Sequence, residues 1–273
     1  MVQMDMQMAQ VAARRVPYSA LAETRPRGSV EAAKSLIGGE SVLGRLLESD
    51  LVDLMRWSTV RTLSKRAQIY RRGDPGRTVI VILDGYVKLS SMTAGGREVV
   101  LEIASTGMCF GELSVLNDWP RDTDATALSR CRLLAIDGRQ FTQVMARSPE
   151  ALHTVIQLIS RRLRTATERV LDAVALAASA RLSKALIQLA ELQYPAVRDG
   201  ARINLQLSQA ELGGMTGLAR ESINKHLASL RDAGWISLSG KTVTLLDCTA
   251  LHRLIRDHDG ERSAQGKDLW ASD

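Results

Sequence analysis

"LSQAELGGMTGLARESINKHLASLRDAGWIS" (207–237) is the stretch that decides the fold of this 273-residue chain. Ser208 suits a helix N-cap, and Glu211, three residues later, can reach back to it, the reciprocal arrangement of a capping box. The glycines of "GGMTG" (213–217) predict that this short helix ends there in a turn. A second helix is predicted over "ARESINKHLASLRDA" (219–233), stopping at Gly234. Its apolar residues Ile223, Leu227 and Leu230 share one face, while Glu221 and Lys225 sit one turn apart on the other, with Arg220 at the flank. Two helices joined by a glycine-containing turn, the second with a charged outer face, have helix-turn-helix geometry. "WISLSGKTVTLL" (235–246) then predicts a β-hairpin wing.

Upstream, the period changes. After Pro149, Leu152, Ile156, Ile159, Leu163, Ala166, Val170, Ala173 and Ala177 follow at alternating spacings of 4 and 3. A 3.5-residue repeat without proline or glycine predicts a helix whose seam pairs with a second copy, a homodimer through residues 152–177. From about 60 to 136 the texture is of short β-runs between turn signals: "TVIVIL" (78–83), a hairpin at "DG" (84–85), "YVKLSSM" (86–92), a turn at "TAGG" (93–96) and "REVVLEI" (97–103). A helical turn is predicted at "ELSVLN" (112–117) before strands resume at "ATAL" and "CRLLAI". The fold class is therefore α+β: an antiparallel barrel or roll (a β-roll by the resemblance given below), a long helix and a C-terminal winged helix-turn-helix. The expected divisions are a mobile extension at 1–40, the roll at 41–148, the dimerisation helix at 149–180, the winged domain at 181–256 and an acidic tail at 257–273.

Composition narrows the function. The chain is 45% hydrophobic and 24% charged, as soluble globular proteins are, with no run of eighteen apolar residues to span a membrane. Cys109, Cys131 and Cys248 lie far apart, without metal-site or disulfide spacing, which suits a reducing cytoplasm. All four histidines fall after residue 152, so the roll offers no imidazole to a haem or metal. Residues 181–256 carry ten Lys and Arg against six Asp and Glu, a net of +4, which suggests a polyanionic partner. No nucleophile–base constellation or P-loop is present, so an enzyme is not expected.

Three segments together, "GDPGRTVIVILDGYVKL…FGELSVL…PRDTDATA", "SRRLRTATERV" and the stretch at 207–237, resemble the Crp/Fnr family of transcription regulators over residues 41–255. The resemblance implies a cyclic-nucleotide-binding roll and a recognition helix that enters the DNA major groove as a dimer on a palindrome. It implies that Arg220, Glu221, Ser222 and Lys225 meet the duplex, an arginine suiting guanine and a glutamate cytosine. Ser208, Gln209 and Lys241 are candidate phosphate contacts, Ala219 replaces the family's usual serine, and RNA polymerase is an implied partner. The implied effector is cyclic AMP or another cyclic nucleotide, bound by Gly111, Glu112, Leu113, Arg121, Asp122, Thr123, Ala166 and Thr167. Two of these depart from the pattern. Asp122 stands where a serine usually meets the phosphate, and a carboxylate about 4 Å from a phosphate costs on the order of 4 kcal/mol at an effective dielectric near 20. Ala166 replaces one of two adjacent hydroxyl residues that meet the base. The alternative function is a nucleotide-sensing module with a protein-binding output.

Overall fold

The computed structural model describes residues 23–24, 43, 46–204 and 207–256. The acidic tail and most of the extension at 1–40 lie outside the described residues. Within 1–40 the described pair is β1 (Glu23–Thr24), which runs antiparallel to β2 (Ser58–Leu63) at the edge of a sheet.

Two antiparallel sheets face each other. With α1 (Glu48–Arg56) preceding β2, the strands are β3 (Gln68–Tyr70), β4 (Thr78–Asp84), β5 (Val87–Met92), β6 (Glu98–Ala104), β7 (Cys109–Phe110), β8 (Asp124–Ala127) and β9 (Cys131–Asp137). One sheet has the order β1-β2-β9-β4-β7, the other β3-β8-β5-β6. The "DG" turn at 84–85 is therefore not a hairpin: β4 pairs with β7 and β9, while β5 pairs with β6 and β8. The turn is a corner between sheets, and β4 needs it because both its faces are buried. Ile80 and Ile82 point between the sheets with Phe110 and Leu133, whereas Val79, Val81 and Leu83 point outward beneath the helices. A strand covered on both sides reads as one continuous apolar run, so the period-2 signal is hidden.

The covering helices are α1, α3 (Gly138–Arg147) and the start of α4 (Pro149–Ala175); the five-residue α2 (Glu112–Leu116) lies between β7 and β8. Asp137 caps α3 by accepting from the backbone N–H groups of Arg139 and Gln140, and Ser148 caps α4 before a proline in its first turn. Ala151 and Val155 pack α4 onto the roll. Leu158 and Ile159 still touch that core; beyond them the helix leaves it, with Leu163 68%, Val170 65% and Val174 70% exposed. The helix ends earlier than its seam predicts. Leu176 and Ala177 are extended, and Ala177 is the N-cap of α5 (Ala178–Glu191).

α5, β10 (Arg202–Ile203), α6 (Gln209–Thr216), α7 (Arg220–Asp232) and the wing β11 (Ile236–Ser239) and β12 (Thr242–Leu245) share a core built on Leu182, Leu186, Ile223, Leu227 and Leu230. Val100 and Ile103 of β6 belong to the same cluster, so the winged head packs on its own roll.

Candidate nucleic-acid interface and sensor cleft

The helix-turn-helix is set by local chemistry. Ser208 Oγ accepts from the Glu211 N–H and the Glu211 carboxylate accepts from the Ser208 N–H at 2.8 Å, completing the capping box. Gly213 and Gly214 lie inside α6, not in the turn. Helix continuity wins over their low propensity because each permits a close approach: a Cβ on Gly213 would lie 2.7 Å from the Leu218 carbonyl, and one on Gly214 would lie 3.0 Å from the Glu98 carbonyl. The turn itself falls on Gly217, left-handed at φ 72°. Ile223, Leu227 and Leu230 anchor α7 in the core. That leaves Arg220, Glu221 and Lys225 exposed on the outer face, with Ser222 half-buried beside them. Arg220 Nε donates to Gln209 Oε1 at 3.2 Å, which ties the start of α7 to the start of α6. Ser208 and wing Lys241 are exposed, and Gln209 is half-buried. Guanidinium, carboxylate and ammonium project from one rigid helix, the form in which base edges are read.

A cleft of about 1300 Å³ opens between the roll, α4 and the head. Of the expected residues, Gly111, Glu112, Leu113, Asp122, Thr123 and Ala166 line it. Thr167 does not: it is exposed and its hydroxyl donates to the Leu163 carbonyl. Glu112 is fully buried. Its Oε1 is ion-paired with Arg162, and its Oε2 has no hydrogen-bond partner among the described residues. Arg162 also pairs with Glu102 at 3.1 Å and donates to the Cys109 carbonyl at 2.7 Å. Burial disfavours its charge, but the Glu112 and Glu102 carboxylates outweigh this and hold it firmly protonated.

Arg121, also expected there, does not line the cleft: it is buried against Gly111 and the Tyr70 ring. Its guanidinium donates to the Gly111 carbonyl at 2.9 Å and to the Thr78 carbonyl at 2.6 Å, and lies 4.3 Å from the centre of the Tyr70 ring. Gly111 is required at φ 83°, since any Cβ would collide with that guanidinium. Asp122 is exposed. Burial raises the Tyr70 hydroxyl to about 12, against a hydrogen bond with Thr123 that lowers it. The cysteines are buried; burial pushes Cys109 up, and Cys248 up to about 11, so neither is a thiolate near neutrality. Arg162, Glu102 and Tyr70 were missed from the sequence. Arg162 was legible as one helical turn before Ala166 on the same face; Tyr70 gave no signal.

A two-sheet roll joined by a long helix to a winged helix-turn-helix is the architecture of a DNA-binding transcription regulator. Residues 60–148 match the cyclic nucleotide-binding domain and residues 180–254 the Crp-like helix-turn-helix domain. The chain is 31% identical over 209 residues to the CRP-like cAMP-activated global transcriptional regulator of Mycobacterium tuberculosis, covering 73% of this chain and 93% of that one. It is 29% identical to the cyclic AMP receptor protein of Thermus thermophilus, covering 68% and 83%. Among solved structures, FixK2 from Bradyrhizobium japonicum superposes with a TM-score of 0.64 at 20% identity, covering 72% and 96%. A CRP-family regulator from Thermus thermophilus superposes at 0.61 with 28% identity, covering 71% and 96%. The chain belongs to the Crp/Fnr family: it is a DNA-binding transcription regulator of that type, in a family of regulators and not of enzymes. Among the described residues no helix is long and apolar enough to cross a membrane.

Proposed function

We propose that this regulator acts in the cytoplasm as a homodimer, paired along α4, that reads a palindromic operator with two copies of α7 and contacts RNA polymerase. The observation that carries the reading is the exposure of Arg220, Glu221 and Lys225 on a helix whose opposite face is locked into the head's core. Arg220 donates to guanine O6 and N7, Glu221 accepts from cytosine N4, and Ser208, Gln209, Ser222 and Lys241 set register on phosphates and sugars. Pairing is supported by the exposed apolar residues Leu163 and Val170 on one face of α4.

The cleft fits one end of a cyclic nucleotide and not the other. The buried Oε2 of Glu112, without a hydrogen-bond partner among the described residues, is a carboxylate acceptor suited to a ribose hydroxyl. At the phosphate end the Arg121 guanidinium is directed at backbone carbonyls, and Asp122 adds like charge. Operator binding is therefore independent of cyclic AMP, the head's active orientation being set within the protein itself. The test is operator affinity across salt concentrations, with and without a panel of cyclic nucleotides. The expected result is a steep fall with salt, from counterion release, and no gain on adding cyclic AMP. Equal affinity for all duplex sequences would overturn the DNA-reading half, and a large gain with cyclic AMP the effector half.

A further inference from the structure

α4 does not carry the direction of the head, because Leu176 and Ala177 are extended and interrupt the helix. Side chains must hold it instead. Lys88 of β5 is buried, and its Nζ lies 3.0 Å from a Glu98 carboxylate oxygen on β6 and 3.0 Å from Glu211 Oε1 on α6. Both carboxylates are fixed from their other sides. Ser90 Oγ donates to Glu98 at 2.7 Å, and Ser208 holds Glu211 through its N–H and hydroxyl at 2.8 and 2.9 Å. Beside this triad, Gly214 brings the α6 backbone against Glu98 and Val100. Lys184 adds a bridge to Asp172 at 2.7 Å across the interruption. Burial opposes the Lys88 charge, but the Glu98 and Glu211 carboxylates outweigh it and raise its pKa above that of an ordinary lysine.

We propose that Lys88 is a positioning residue for DNA recognition: its pairing with Glu211 clamps the head to the roll, fixes the angle at which α7 is presented, and so sets the half-site spacing the dimer accepts. The clamp works on orientation and not on access, since Arg220, Glu221 and Lys225 stay exposed while the head is docked. Moving one half-site by a base pair turns it by about 34° and shifts it by about 3.4 Å. A head held through the Lys88–Glu211 pair cannot follow that movement; one held by the apolar contact with β6 and the Lys184–Asp172 bridge alone has more freedom to do so. The inference rests on the two-headed reading given above.

The experiment uses the full-length dimer and an operator selected in vitro by the unaltered protein, remade with its spacer one base pair longer and shorter. Lys88→Met keeps the apolar stem, and Glu211→Gln keeps the capping-box partner, so each removes one charge with the local fold retained. The unaltered protein is expected to lose about tenfold in affinity on either altered spacer, the size of one mismatched base pair. Both variants are expected to lose less than about threefold on the altered spacers and to keep their affinity on the original. Lys88→Arg, which keeps the charge, is expected to retain the sharp profile. Gly214→Ala, whose Cβ would sit 3.0 Å from the Glu98 carbonyl and so strain the α6–β6 contact with the charges intact, is expected to broaden it. Amide exchange in the β6 and α6 peptides is expected to quicken about tenfold in Lys88→Met and Glu211→Gln, as loss of a charge-assisted contact predicts. A profile as sharp as the original in both variants, or an equal loss on all three spacers, overturns the proposal. If the unaltered protein selects no operator, the two-headed reading fails. Exchange then still decides the clamp, and unchanged rates refute it.

Discussion

Arg162 is the counterion of a carboxylate that water does not reach, so its removal gives a sharp test of the cleft. Glu112 is fully buried, one oxygen is paired with Arg162 and the other has no partner among the described residues. Arg162→Met keeps much of the side-chain volume and takes away the charge. The loss leaves a buried carboxylate uncompensated, which costs about 3–5 kcal/mol. Glu102 and the Cys109 carbonyl also lose a donor, but Glu102 is partly exposed and recovers water. Removing both charges with Glu112→Gln/Arg162→Met is expected to restore most of the loss, because a neutral amide in the pocket costs far less than an ion. The assay is chemical denaturation of the full-length protein, read as a double-mutant cycle. A cost below about 1 kcal/mol for Arg162→Met, or a double variant no more stable than that single one, would show that the carboxylate does not depend on this arginine.

Other outcomes are open to measurement. Arg220→Ala is expected to weaken operator binding by about 1–3 kcal/mol and to relax the preference for G·C at one position of each half-site, read in a competition gel shift. Val170→Asp places a charge in the middle of the exposed row on α4 and is expected to give monomers in sedimentation equilibrium, with the fold unchanged by circular dichroism. Acid is expected to loosen the head. Burial pushes the Glu211 carboxyl up, but the Ser208 N–H and Lys88 outweigh it, leaving its pKa below the ordinary value. A depressed pKa contributes stability above the unfolded value, about 4.3, and that contribution is lost as pH falls through the lower folded value. Exchange in α6 is accordingly expected to rise below about pH 4, and less so in Glu211→Gln.

The legible parts were those in which neighbours along the chain do the work. The Ser208–Glu211 capping box, the α7 face set by Ile223, Leu227 and Leu230, and the wing around Gly240 depend on contacts within a few residues, so propensity and spacing report them directly. The α4 row was legible for the same reason, though not its end: nothing local marks Leu176, and the helix stops there because Ala180, Leu182 and Leu186 turn into the head's core. At the cleft, Glu112 and Arg121 were read through the family pattern. Their states were not, because the Arg121 partners lie 10 and 43 residues away and Arg162 reaches Glu112 across 50.

The order of residues alone determined a capped helix pair, an amphipathic helix with an unpaired face and a run of short strands, since each follows from periods of 3.6, 3.5 or 2 acting over a turn or two. Only tertiary packing decided which strand meets which, that β4 crosses between sheets at Gly85 instead of folding back, and that two glycines belong inside α6. It also decided that a lysine in the roll pairs with a glutamate on the first helix of the helix-turn-helix. Those outcomes turn on burial and charge pairing between segments as much as 123 residues apart, and no local pattern encodes which partner removes a given side chain from water.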